Sequence, residues 1–309
     1  QAEVPTVEPA DAAPVASTPE PAPTLVTTPT VVPTPRPLPT LVATPTAVPT
    51  PRPVPTVAPT PRPVPTKTVI YDGVYSIEVN GSGDYATIGA ALEQVANGAE
   101  LRLGAGTFQI TTSLQINKDI VLTGAGQNST IIATSEAQFV IAVFDADVTI
   151  RDLTTSGGTL NGVQVQGASK IDIQRVTFTG ASQNGLHIED AAGSVTNSTS
   201  HHNQGNGFTV TGKSRVVLSN NNAQNNESHG FYITDSAAPQ LTGNTSQDNT
   251  SNGFLWMEQA SGVASNNTAQ NNDSTGFTIS GGAAPQLTDN TSNANTGFGF
   301  TWGAQTSGV

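Results

Sequence analysis

Glycine followed by an alternating apolar–polar–apolar triplet recurs along this chain. Gly162, Gly185, Gly207, Gly230, Gly253, Gly276 and Gly299 open the segments GVQV, GLHI, GFTV, GFYI, GFLW, GFTI and GFTW. The steps between these glycines are 23, 22, 23, 23, 23 and 23 residues. Alternation of period 2 reads as a short strand with one face buried, so Phe231 and Ile233 are expected to point inward and Tyr232 outward. A second apolar file keeps the same step through Ile150, Ile173, Val195, Leu218, Leu241, Ala264 and Leu287. A unit this short cannot bury its inward face alone and must stack on its neighbours. No window keeps a 3.6 period, and Gly, Asn, Ser and Thr crowd the places where a helical repeat would carry Ala, Leu, Glu and Lys. A propeller blade needs about 40 residues and four strands, which the shorter step does not supply. From about residue 100 onward the pattern predicts an all-β fold, a right-handed single-stranded parallel β-helix with coils of about 23 residues.

Two files of asparagine keep step with the glycines. One is Asn221, Asn244, Asn267 and Asn290; the other is Asn203, Asn226, Asn249, Asn272 and Asn295. Asparagine tolerates the left-handed backbone of a tight turn, and amides in register can hydrogen-bond from coil to coil. Both files are therefore read as structural ladders. A longer period of 46 residues overlies the short one: the coils from Gly230 and Gly276 both carry AAPQL and then NTS, and Trp256 recurs as Trp302. Both tryptophans fall in the inward register.

The stretch from Ile77 to Gly126 differs in kind. Thr87 to Ala96 has helical spacing through Ile88, Leu92 and Val95, and Asn97-Gly98 supplies a stop. Leu101 and Leu103, then Ile120 and Leu122, alternate as strands. A short amphipathic helix here would close the open end of the core, as terminal repeats must.

The segments GSGDYATIGAALEQV, LRLGAGTF, IVLTGAG and, at Val148–Thr154, VTIRDLT resemble the first coils of pectin lyase-like proteins. That class of carbohydrate-binding and sugar-hydrolase β-helices includes the pectin methylesterases. The resemblance spans Ile77 to about Thr155 in ordered motifs and the later coils in period, and it implies the fold. The family's chemistry does not carry over. Methylesterases use two aspartates, an arginine and a glutamine around a central strand, whereas Asp145 and Asp147 stand in VFDADV without the partnering motif. Pectate lyases use a calcium cluster and a base that takes the proton α to a carboxylate; Arg151, Arg175 and Arg215 lie outside any recognisable lyase motif. Asp152 and Arg175 occupy equivalent places on adjacent coils and read as a cross-strand ion pair. Glycosidases of the polygalacturonase type need two positioned carboxylates, and no NTD or DD motif occurs. No catalytic residue is assigned.

Composition divides the chain. Of 22 prolines, 20 lie in the first 66 residues, where VPTPRPLPT, VPTPRPVPT and APTPRPVPT repeat. Proline removes N–H donors and fixes φ, so residues 1–66 are expected to form a disordered Pro/Thr-rich linker or stalk, with the β-helix over 67–309 and its cap over 67–126. Cysteine is absent, which removes disulfides and thiolate chemistry and suits an exported bacterial protein of the envelope or extracellular space. No apolar run reaches the ~18 residues that a membrane helix needs. From Lys67 onward 8 basic residues face 19 acidic ones, a balance of −11, which argues against nucleic acid as a partner.

The outward face of the strands after each glycine is the expected binding surface, with Gln164, His187, Glu189 and Tyr232 as candidates for contact with a polysaccharide or surface glycan. Asp235 and Glu258 share a file with Asp190 and could bridge a calcium ion. His201 and His202, with His229 one coil on, lack a third ligand. No metal site or cofactor is assigned. The preferred reading is a non-catalytic protein that binds or presents to carbohydrate. A lyase, esterase or hydrolase whose catalytic coils lie beyond Val309, and a structural adhesin or spacer, are the alternatives. The last coil, GFTWGAQTSGV, stops where its partner from Gly253 continues, so self-association through an uncapped end is also expected.

Overall fold

The computed structural model of the chain describes residues 73–303. The linker expected over 1–66 lies outside the described residues. Among the described residues every strand pairing is parallel, and the strands form two sheets, one of 17 strands and one of 9. A representative coil runs as the strand Leu186–Glu189 in the nine-stranded sheet, then Ala192–Thr196 and Thr199–His201 in the seventeen-stranded sheet, then Phe208–Thr211 back in the first. The β-helix expected from the repeat is the fold observed.

The register matches the sequence files. Leu186 lies beside Phe208, then Phe231, Phe254, Phe277 and Phe300. These phenylalanines point inward and stack at centroid separations of 4.7–4.9 Å from Phe208 to Phe300, the spacing of neighbouring strands. Ile150, Ile173, Val195, Leu218, Leu241 and Ala264 are buried in their own file. The coil glycines are explained by the same close stacking. A Cβ on Gly230 would lie 2.8 Å from the carbonyl oxygen of Gly253, and one on Gly253 would lie 2.7 Å from that of Gly276.

The asparagine ladders are present, with one correction. The left-handed residue is not the ladder asparagine but the one before it: Asn220, Asn266 and Asp289 in one turn, His202, Asn225, Asp248, Asn271 and Ala294 in the other. That residue makes the bend and faces solvent, which frees the next side chain to point inward. Asn244 shows what this achieves. Its Nδ2 donates to Asn267 Oδ1 at 2.9 Å and to the Leu218 carbonyl at 2.9 Å. Its Oδ1 accepts from the Asn221 backbone N–H at 2.9 Å and from Asn221 Nδ2 at 3.0 Å. All four hydrogen-bonding positions of a buried amide are thus filled, and the turn's own polar groups are satisfied in the core. The second ladder repeats the pattern from Asn203 to Asn295 at 2.8–2.9 Å.

The N-terminal helix spans Ile88–Gln94, two residues shorter at its end than its spacing suggests, because Val95 already has extended backbone. The Thr87 hydroxyl caps it by accepting from Ala90 N–H at 3.1 Å. Ile88, Ala91 and Leu92 join the same buried cluster as Leu101, Leu114 and Ile116, so the helix closes this end of the core. Asp152 and Arg175 form the expected ion pair, at 2.6 and 2.8 Å. Both are left-handed turn residues, and the guanidinium holds the Asp152 carboxyl below the usual carboxylate range.

Candidate functional site

Outward side chains of the nine-stranded sheet stand in two files. The first runs Gln164, His187, Thr209, Tyr232 and Leu255. The second contains Glu189 beside Thr211, and Thr234 and Met257 continue it at steps of 23 residues. Gln164, His187 and Tyr232 are therefore in one line, with Glu189 in the next. His187 and Tyr232 are two coils apart, about 9.6 Å at the inter-strand spacing.

A row that the sequence reading missed folds over this face. It consists of the residue before each coil glycine: Asn161, Asn184, Asn206, His229, Asn252 and Thr275. Asn184 N–H donates to Asn161 Oδ1, Asn206 N–H to Asn184 Oδ1, and His229 N–H to Asn206 Oδ1, each at 3.1 Å. Asn252 N–H donates to His229 Nδ1 at 3.1 Å, so a histidine serves as one rung. The Asn-Gly dipeptides at 161, 184, 206 and 252 carried this signal.

The row changes which candidates reach solvent. Asn161 Nδ2 donates to Gln164 Oε1 at 2.7 Å, and Gln164 is only 6% exposed. Thr209 is likewise buried, donating to Asn184 Oδ1 at 3.0 Å. His187, Glu189 and Tyr232 are partly exposed. The His229 ring lies against Tyr232, with centroids 5.8 Å apart and planes inclined by 27°. Asn161 Nδ2 is 3.4 Å from His187 Nδ1, and His187 Nε2 is 3.1 Å from Thr211 Oγ1. With the Asn161 amide donating, Nδ1 accepts and Nε2–H donates to the hydroxyl, which is the neutral imidazole. Burial pushes His187 below the usual histidine range, opposed more weakly by the charge of Asp235. Burial alone pushes His229 down to about 4.

Other sequence candidates fall elsewhere. His201 and His202 belong to the seventeen-stranded sheet and its turn, with their Nδ1 atoms 2.7 Å apart. His229 stands in the covering row, in a different file, so the three histidines do not meet. Asp190, Asp235 and Glu258 share a left-handed turn file with Asp145. Asp190 accepts from Lys213 N–H at 2.7 Å and Asp235 from Gly212 N–H at 2.8 Å, so these carboxylates cap turns. Among the described residues no three His, Cys, Asp or Glu side chains are grouped to hold a metal ion. A cavity of about 520 Å³ opens on the other sheet, among Asp119, Asp147, Lys170 and Asp172. No helix among the described residues is long and apolar enough to cross a membrane.

The family described as right handed beta helix region matches residues 139–301. Comparison with curated proteins gives no significant match. Among solved structures, the pectate lyase Pel9A is similar at a TM-score of 0.60 and 16% identity, over 79% of this chain and 83% of that one. The A-module of the mannuronan C-5 epimerase AlgE6 from Azotobacter vinelandii is similar at 0.50 and 18%, over 64% and 69%. A variant of the alginate lyase AlyGC is similar at 0.50 and 13%, over 79% and 41%. At these identities what is shared is the fold.

Proposed function

The chain belongs to the family of right-handed β-helix regions, and from that premise we propose that the outward face of its nine-stranded sheet binds a carbohydrate chain without transforming it. The observation that carries this reading is the line of partly exposed side chains: neutral His187, then Tyr232 backed by His229, with Glu189 and Thr211 alongside. Together they offer hydrogen-bond donors, acceptors and an aromatic surface at intervals set by the coils, over a span on the scale of a disaccharide. The fold neighbours, named as a pectate lyase, an epimerase and an alginate lyase, support a relation to polysaccharides. An exported protein of the bacterial envelope or extracellular space fits the absence of cysteine.

Binding to immobilised polysaccharides tests the reading. His187→Ala and Tyr232→Ala are expected to weaken retention while leaving circular dichroism unchanged; full retention by both variants refutes the face. The neighbours' names also support a second reading, a polysaccharide-degrading enzyme. Incubation with pectin, alginate and neutral polymers, followed by product analysis, separates the two, and turnover of any of them overturns the non-catalytic reading.

A further inference from the structure

We infer that the binding face selects uncharged polysaccharides and rejects polyuronates, through a rail of carboxylates along one of its edges. The inference rests on the carbohydrate reading above and names the class of chain it takes. The rail is the left-handed turn file that follows the strands of the nine-stranded sheet: Asp145, Asp190, Asp235 and Glu258, all exposed. Their place is fixed by the fold. Asp145 accepts from Ala168 N–H at 3.0 Å, Asp190 from Lys213 N–H at 2.7 Å and Asp235 from Gly212 N–H at 2.8 Å. Glu189 adds a fifth carboxylate on the face itself.

Cations balance the rail only in part. Lys213 stands in it and the Arg215 guanidinium donates to the Lys213 and Ser236 carbonyls at 2.9 and 3.0 Å, against five carboxylates, while Arg151 and Arg175 are paired with Glu100 and Asp152 on the seventeen-stranded sheet. Of the rail, Asp235 acts on the face, its charge opposing more weakly the effect of burial on His187. Two further observations describe the ligand. The Tyr232 ring, stacked with His229, presents the apolar surface that a pyranose ring covers. The Thr234 hydroxyl, 7% exposed, has no hydrogen-bond partner among the described residues, and a sugar hydroxyl can both donate and accept. A uronate on every residue of a bound chain would lie within about one Debye length (~10 Å at 0.1 M salt) of several like charges.

Affinity electrophoresis and depletion assays decide the matter, with arabinoxylan, galactan and mixed-linkage β-glucan set against polygalacturonate and alginate, each in EDTA and in calcium. At low salt at least one neutral polymer is expected to bind at least about tenfold more tightly than either polyuronate, with the gap narrowing as salt rises. The variant Asp145→Asn/Asp190→Asn/Asp235→Asn/Glu258→Gln keeps the turn-capping oxygens and, at three positions, a residue that tolerates left-handed backbone. It is expected to leave neutral binding unchanged and to raise polyuronate binding; its melting curve shows whether it is folded. Should its turns fail, the salt dependence of the unaltered protein still decides. Polyuronate binding as tight as neutral binding, with or without calcium, overturns the inference and leaves the face reading intact. Binding to no polymer overturns the face reading and this inference with it.

Discussion

His229 makes the stability of the β-helix depend on pH in a way that one substitution should abolish. The residue occupies a rung filled by asparagine at Asn161, Asn184, Asn206 and Asn252, and its Nδ1 accepts the Asn252 N–H at 3.1 Å. Protonation of Nδ1 would replace that acceptor with a donor facing a donor. Burial pushes the ring from its ordinary value of 6.5 to about 4. The folded value lies below the unfolded one, so the unfolded chain takes up its proton first as pH falls. The stability is complete above about pH 6.5, declines between there and about pH 4, and levels off below. At about 1.4 kcal/mol per pH unit, the interval corresponds to about 3 kcal/mol. His187 and His201 are shifted in the same direction by burial, and carboxylates such as Asp152 add acid sensitivity of their own. A comparison therefore isolates His229: urea unfolding of the natural protein and of His229→Asn, at pH 7, 5 and 4. The asparagine variant should lose less stability on acidification, by about 3 kcal/mol. Parallel pH profiles for the two proteins would show that the rung tolerates a charged ring and refute the argument.

Three further outcomes follow from the core and the turns. Asn249→Ala removes the acceptor of Asn226 N–H and Nδ2 and the donor to the Ala223 carbonyl and Asn272; stranding these buried groups should cost about 3 kcal/mol or more, and a denaturation midpoint close to that of the natural protein would count against the ladder. Phe254→Ala opens a gap between Phe231 and Phe277, which stack on it at 4.7 and 4.8 Å, with an expected loss of about 3–5 kcal/mol read from the same unfolding curves. Arg175→Ala breaks a pair whose side chains are 46% and 28% exposed; stability should change by less than about 1 kcal/mol, and a larger loss in thermal melts would mean the turn itself depends on the pair.

How much of this was readable from residues alone depends on which way a side chain points. Inward positions obey one rule, the packing of identical coils, so Phe231, Leu241 and Asn244 declared their files by period. The left-handed positions were misplaced by one because Asn220 and Asn221 are the same residue type with opposite duties, and a period cannot tell which of two neighbours bends the chain. The covering row went unread because Asn161-Gly162 looks like a turn, while His229 breaks the asparagine pattern in letters but keeps it in chemistry: a neutral imidazole and an amide each offer one acceptor to the next coil's N–H. That substitution also shows why the outward face is harder to read than the fold. A rung needs only an acceptor, so the residue holding it is free to vary, and what it does beyond the rung is set by its neighbours. At the coil of Gly230 the imidazole lies against Tyr232 and gives the face its aromatic surface; at the coil of Gly162 an asparagine in the same place draws Gln164 down and buries it. The same backbone position thus opens the face at one coil and closes it at another. Only the three-dimensional placement of Asn161 and His229 shows that His187 and Tyr232 stay partly exposed while Gln164 is buried.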